Sequence, residues 1–417
     1  MIKRFFCNSS SNNILNKMKK NQVIIISGGT GIGKSDLSLK LAKQIKGEII
    51  GADSVQIYKH LTVGSNKIID TNGIPHHLID IVDLDDNNFC LFDYYKLAKK
   101  SIEDIVSRGR IPIFVGGCGF YLDTILKGSR LDLSNDKERD EIKLLFNKIK
   151  QEDNWDHYHN LLKTYDPESA EIIQRNDFVR LSKSLYFNTV KGIKFSSQKN
   201  EYQDSIADEY DFRTFYLSAD RAKMHKSLNK RSEAMFQMGL LEEVYDLLKR
   251  DKEIHYKNSK SSDSIGYREI TNLLLKPVVR NLNDDSTTPT TSINLKESLD
   301  SIEKSEIIST ILNFQTANRN YYRRQFSWFK KEKYFEWLNP IENIDVDKYI
   351  INSLDLSFEE WQNKRDLKKE DEIRNCSPKE TKLISTYKPS DNIINSVLKK
   401  SNQLRNSLIQ SNPELFD

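Results

Sequence analysis

Gly28-Gly29-Thr30-Gly31-Ile32-Gly33-Lys34-Ser35 has the form G-x-x-x-x-G-K-[ST], and its residue types describe an anion site. The glycines let successive backbone N–H groups converge on one anion, and a helix starting at the end of the loop adds positive potential. Lys34 supplies a mobile cation, and Ser35 a hydroxyl that can ligate a divalent metal. The expected ligand is therefore a phosphate chain. A second reactive group, Asp53, follows Ser35 by 18 residues. Its carboxylate can ligate metal or take up a proton.

Other candidate groups are weaker. Cys7, Cys90, Cys118 and Cys376 lie far apart and form no C-x-x-C pair, so neither a zinc site nor a disulfide framework is indicated. That suits a reducing compartment. Adjacent His76 and His77 point to opposite sides of a strand and make poor co-ligands, which leaves a structural or substrate-lining role. His157 and His159 do not share a helix face.

The elements that must position these groups read as an α/β fold. Val23–Ile26 is an apolar run typical of a buried parallel strand, and Asp36–Ala42 has helical apolar spacing. Residues 48–58 (EIIGADSVQIY) read as a second strand. In a doubly wound sheet this places Asp53 at that strand's carboxyl end, beside the phosphate site. Phe92–Arg108 is an amphipathic helix closed by Gly109. Ile111–Val115 is a third strand, running into Gly116-Gly117-Cys118-Gly119-Phe120-Tyr121. An NTPase normally carries a metal-binding acid there. Two glycines suit close backbone approach to a ligand instead, and ATP hydrolysis is disfavoured.

Residues 129–175 are charged and helical in pattern, as expected of an insertion. Residues 176–194 form a basic helix with Arg180 and Lys183 on one face. Phe212–Leu217 is a strand, and a helix over 221–239 carries Arg231. Residues 281–292 (NLNDDSTTPTTS) are polar and low in complexity. A long helix over 301–330 carries Arg319, Arg323, Arg324, Gln325 and Trp328 among Tyr321, Tyr322, Phe326 and Phe329, a mixture suited to phosphate and base contacts.

The expected organisation is an N-terminal extension (1–20), a P-loop-type parallel sheet flanked by helices (21–128 and 176–340), a helical insertion domain (129–175), an added low-complexity loop (277–297), and a charged C-terminal tail (341–417). The 417 residues carry a net charge of only +4, so nucleic-acid binding must come from local patches. No apolar run approaches the ~20 residues of a membrane span. The first acidic residue is Asp36, behind Lys3, Arg4, Lys17, Lys19 and Lys20. This start reads either as a presequence or as an Asn/Ser-rich extension, which leaves the cytoplasm and the mitochondrion as compartments.

Taken together, GGTGIGKS (28–35), ADSVQIY (52–58), IPHHLID (74–80), RGRIPIFVGGCGFYL (108–122), RNDFVRLSKSL (175–185), MGLLEEV (238–244), SIGYREI (264–270) and NRNYYRRQFSW (318–328) resemble the tRNA dimethylallyltransferases, in order over residues 22–330. The resemblance implies a monomeric enzyme that binds dimethylallyl diphosphate, not ATP, on Gly28–Ser35, with Mg2+ near Ser35. Thr30, Lys34 and Arg231 would hold the diphosphate. Asp53 would accept the proton from N6 of an adenosine flipped out of a tRNA anticodon loop. Asp53, Ser54, Val55 and Gln56, then Val179, Arg180, Leu181, Ser182 and Lys183, then Arg319, Arg324 and Gln325, align with tRNA-contacting stretches. Cys118 stands where the family usually has Thr, a better hydrogen-bond donor to the reacting region. The C-terminal zinc finger of eukaryotic relatives is not expected, because Cys376 is the tail's only cysteine and no histidine follows it.

Three rival readings share parts of this pattern. An adenylate isopentenyltransferase acting on free AMP, ADP or ATP would need neither the insertion nor the basic segment at Arg319–Lys331. A P-loop kinase would carry the missing acid. A non-catalytic RNA-binding protein would not need Lys34, Ser35, Asp53 and Arg231 together.

Overall fold

In the computed structural model the described residues are 20–86, 89–128, 136–197, 206–251, 256–276, 301–341, 345–374 and 388–416. The N-terminal extension up to residue 19, the low-complexity stretch, Cys7 and Cys376 lie outside them.

Six strands form one sheet: β1 Gln22–Gly28, β2 Gly47–Gly51, β3 His76–His77, β4 Ile111–Val115, β5 Asp211–Leu217 and β6 Glu336–Leu338. Their order is β3-β2-β4-β1-β5-β6, and every pairing is parallel. Such a sheet needs cover on both faces, and β1 meets that need with four fully buried residues in a row. Val23 and Ile25 enter one core with Tyr94, Ile102 and Leu122. Ile24 and Ile26 enter the other with Leu41, Ile350 and Trp361. The P-loop-type sheet is thus as expected, with β3 and β6 added at its edges.

The carboxyl ends of β1, β2 and β4 are stitched together. Ala52 N donates to Val115 O at 2.8 Å, Cys118 N to Ala52 O at 3.1 Å, and Ser27 Oγ to Gly116 O at 3.0 Å. Gly116 lies so close to the turn after β2 that a Cβ on it would sit 1.9 Å from Ala52 O. The close backbone approach expected at these glycines is therefore to protein and not to a ligand. It brings the end of β4 against the residue preceding Asp53.

The His77 motif proves structural. Buried Glu48 on β2 receives Arg110 at 2.8 Å, His77 Nε2 at 2.7 Å and both terminal nitrogens of Arg108. Burial alone would raise its pKa, but these hydrogen bonds bring it down to about 2. His77 is thereby tied to the strand pairing and is not a metal ligand.

The insertion contains helices Asp136–Glu152, Trp155–Tyr165 and Pro167–Ile172. Its core of Ile149, Trp155, Tyr158 and Leu162 also takes Leu181 and Leu185. These two come from the next helix, Phe178–Thr189, so the lobe extends beyond residue 175.

The stretch after 340 is likewise more than a charged tail. Trp361 is buried and donates to Glu336 Oε2 at 3.0 Å. Arg405, from helix Asp391–Ser411, donates to Leu274 O at 2.7 Å and Lys276 O at 2.6 Å. Fully buried Arg213 on β5 makes two 2.7 Å bonds to Asp211 and reaches Ser353 O at 2.9 Å and Leu356 O at 2.8 Å. Its guanidinium thus joins the sheet to the C-terminal helices. Arg213→Ala strands Asp211 in the interior and should cost about 3 kcal/mol or more, read as a lower urea midpoint with an unchanged m-value.

Candidate active site

The anion loop runs from β1 into helix Lys34–Ile45, whose N-cap Gly33 has φ +93°, a conformation side chains rarely adopt. Lys34 Nζ donates to Gly28 O at 2.9 Å and Gly29 O at 3.0 Å, which folds the ammonium back over the loop. Burial lowers its pKa to about 8; the charge of Asp53 opposes that shift and Arg231 adds to it. Arg231, on helix Arg221–Gln237, reaches Thr30 Oγ1 at 3.3 Å. Its own pKa is lowered by burial and held up by Asp53. Lys34, Arg231 and Asp53 are therefore brought within electrostatic reach of one another, although they stand 19 and 178 residues apart in the chain, counted from Lys34 to Asp53 and from Asp53 to Arg231.

Asp53 lies two residues past β2. Its Oδ1 accepts from Val55 N at 2.9 Å and Gln56 N at 3.2 Å, which fixes the carboxylate's orientation. Among the described residues nothing donates to Oδ2, which leaves that oxygen able to take a proton.

Gln325 has a different place from the one expected. It is buried, not at a tRNA-facing surface. Its Oε1 accepts from Thr30 N at 2.9 Å and its Nε2 donates to Gly117 O at 3.0 Å. It braces the anion loop against the turn after β4. A Cβ on Gly117 would come within 2.1 Å of that Nε2, so this glycine makes room for the brace.

Cys118 follows directly. Burial, reinforced by Asp53, pushes its thiol up to about 11, against bonds from neighbouring backbone and Ser54. It therefore stands beside Asp53 as a neutral thiol, not as an acid–base or nucleophilic group at neutral pH.

Three tyrosines join the site: Tyr321, expected among the aromatics of the long basic helix, and Tyr94 and Tyr121, for which the sequence suggested no role. Tyr94 and Tyr121 stack with ring centres 3.7 Å apart and planes 8° apart. Tyr321 hydrogen-bonds the Gln325 side chain, and burial raises its pKa, as do the charges of Asp53 and Cys118. Tyr94 and Tyr121 also feel Asp53 and Cys118. The only sequence signal was the aromatic content of GFYL and NRNYYRRQ, which is equally typical of core.

The remaining expected contacts divide by burial. Ser54 is exposed, Val55 is half-buried, and Gln56 Nε2 donates to Ser65 O at 3.0 Å and Asn66 O at 3.3 Å. Val179 and Arg180 are exposed and Lys183 is half-buried. Leu181 and Ser182 are fully buried, with Ser182 Oγ bonded to Phe178 O at 2.6 Å, so neither can touch RNA. On helix Lys304–Phe329, Arg324 is exposed with its guanidinium 6.0 Å from the Tyr321 ring centre. Arg319 bonds Asn229 Oδ1 at 2.5 Å and Thr316 Oγ1 at 2.8 Å. A cleft of about 790 Å3 beside Arg324 is lined by Arg268, Lys276 and Glu306, and no residue of the anion loop lines it.

Among the described residues no cluster of three His, Cys, Asp or Glu side chains could hold a metal. Ser35 sits in the first helical turn, and its hydroxyl makes no hydrogen bond among those residues. It fits a magnesium ion that takes most of its ligands from phosphate oxygens and water.

Comparison with known proteins places this geometry. A family model described as IPP transferase matches residues 56–332, and one described as isopentenyl transferase matches residues 21–88. A tRNA dimethylallyltransferase from Staphylococcus haemolyticus (strain JCSC1435) is 32% identical over 332 residues, covering 78% of this chain and 89% of that protein. The chain belongs to the tRNA dimethylallyltransferase family. Among solved structures, the tRNA delta(2)-isopentenylpyrophosphate transferase of Staphylococcus epidermidis is 27% identical with a TM-score of 0.50, over 80% of this chain and 97% of that one. The full-length Bacillus halodurans tRNA isopentenylpyrophosphate transferase is 26% identical with a TM-score of 0.51, over 83% and 99%. A eukaryotic dimethylallyltransferase acting on tRNA, 22% identical with a TM-score of 0.59 over 92% and 85%, shares the fold.

Lys34 gives the site a pH dependence. In the free protein it loses its proton as pH rises through about 8, so an anion held by this ammonium, as expected of the donor's diphosphate, should bind more weakly above that pH by up to about tenfold per unit. Its contribution to stability has the opposite sign. Between the folded value near 8 and the ordinary lysine value, the unfolded chain binds more protons, and this contribution rises with pH. Binding of labelled dimethylallyl diphosphate across pH 6.5–9.5 tests the first statement, and Lys34→Met should lack the alkaline limb.

Proposed function

We infer that the protein transfers the dimethylallyl group of dimethylallyl diphosphate to N6 of an adenosine in a tRNA anticodon loop, at expected position 37, and releases diphosphate. The observation that carries this reading is the placement of Lys34 and Arg231 at the anion loop with Asp53 within electrostatic reach of both.

The residues then have separable tasks. The C1–O bond of the donor breaks as the N6–C1 bond forms, and the bonding pair leaves on the diphosphate. Thr30, Lys34 and Arg231 stabilise the charge that accumulates there, which is the largest catalytic contribution; losing one such group costs on the order of 10²–10³ in rate. Bound Mg2+, held by Ser35 and phosphate oxygens, would add neutralising charge to the leaving group. Asp53 takes the N6 proton through its free Oδ2. The stacked Tyr94 and Tyr121, with the neutral Cys118, give an apolar surround beside that carboxylate, suited to excluding water.

The acceptor side is read as RNA for two reasons. The matched relatives carry tRNA in their names, and Arg180 and Arg324 are exposed cations outside the pocket. A free nucleotide would use none of these. No described helix is long and apolar enough to cross a membrane.

Incubation with labelled dimethylallyl diphosphate and either bulk tRNA or AMP tests the reading. Label should enter tRNA; label in AMP alone would overturn it. Asp53→Ala should lower turnover by about 10²-fold or more while donor binding persists. Cys118→Thr should keep or raise turnover, because a hydroxyl is the better donor, and iodoacetamide at pH 7.5 should label Cys118 more slowly than a free thiol. Rapid alkylation of that residue would contradict its protonated state.

A further inference from the structure

MGLLEEV and SIGYREI have no part in the chemistry described so far, yet they converge on one loop. Glu243, in the first turn of helix Leu240–Lys249, receives four donors. Thr62 N at 3.0 Å and Val63 N at 2.8 Å meet its Oε2. Gly64 N at 3.2 Å and the Tyr267 hydroxyl at 2.6 Å meet its Oε1. Tyr267, fully buried at the start of helix Tyr267–Leu274, lies flat enough on the loop that a Cβ at Gly64 would come within 2.4 Å of its ring.

That loop is fastened in turn to the carboxylate strand. Ser65 O and Asn66 O accept from Gln56 Nε2, and Gln56 N donates to Asp53 Oδ1 at 3.2 Å. Lys67, at the end of the loop, bonds Tyr58 O and Asp80 Oδ1, each at 2.5 Å. A continuous set of hydrogen bonds therefore runs from Glu243 through residues 62–66 and Gln56 to Asp53. Among the described residues, none of these hydrogen bonds is made to Gly28–Ser35 or Arg231.

We propose that Glu243, with Tyr267, is a positioning residue for the acceptor half of the site: it sets the loop that holds Gln56, and through Gln56 the orientation of Asp53 toward the incoming adenine. The inference rests on the reading of Asp53–Gln56 as the acceptor side. A carboxylate is the side chain suited to this place. Both oxygens accept, whereas an amide presents two N–H groups to a ring of donors and leaves at least one backbone N–H without a partner.

The test separates donor from acceptor. Glu243→Gln should lower kcat/KM for tRNA about tenfold, while dimethylallyl diphosphate, measured alone by equilibrium dialysis, binds within about twofold of wild type. Tyr267→Phe removes one hydrogen bond but keeps the ring on Gly64. It should give a smaller loss of the same kind in a protein that folds normally. In a Gln56→Ala background, Glu243→Gln should cost only a fraction of its effect alone, because both act through the same loop. Full tRNA activity in both variants, strictly additive losses, or donor binding that falls in step with tRNA activity would each overturn the proposal. Wild-type protein that bound the donor but left tRNA unlabelled would instead remove the functional reading beneath it.

Discussion

The side chain of Gln325 is the connection on which the geometry of the site depends. One amide satisfies a backbone N–H of the anion loop and a backbone carbonyl of the turn after β4. Both partners are otherwise exposed to the cost of burial without a hydrogen bond, a few kcal/mol per group. Because Gln325 rides on the long helix Lys304–Phe329, the same contact fixes that helix against the sheet. Tyr321, one turn earlier, is thereby held near Asp53, and Arg324 is turned outward. The long helix and the anion loop thereby become parts of one braced arrangement.

The charges follow from that rigidity. Lys34 and Arg231 are both cations removed from water, and the field of Arg231 disfavours protonation of Lys34. The charge of Asp53 favours both cations, Gly28 O and Gly29 O hold Lys34, and Thr30 Oγ1 accepts from Arg231. A diphosphate entering such a place meets preorganised positive charge, and the group best able to relieve the cations' mutual cost is the anionic leaving group itself. The acceptor side is built with the opposite polarity. A fixed carboxylate, a neutral thiol and stacked tyrosines suit the proposed adenine acceptor better than a phosphate.

Much of the scaffold exists to hold two loops. Glu48 gathers Arg108, Arg110 and His77 at the start of β2, far from the chemistry, and so fixes three strands in register. Glu243 gathers three backbone N–H groups beside the acceptor strand. In both cases one carboxylate with several donors replaces what would otherwise be a loose crossing.

The sequence by itself determined the anion loop, four of the six strands, the placement of Asp53 past a strand end, and Arg231 on a following helix. These features are local: an apolar run, a glycine spacing and a helical period each need only a few neighbouring residues. It did not show that Gln325 is a brace, that Leu181 and Ser182 are core, or that the charged C-terminal residues pack on the sheet. Those depend on contacts across hundreds of residues, such as Gln325 with Thr30 and Arg213 with Ser353. A glutamine or an arginine has the same local signature whether it faces RNA or caps a buried carbonyl. Only the packing decides which polar group is left for a ligand and which is used up by the fold.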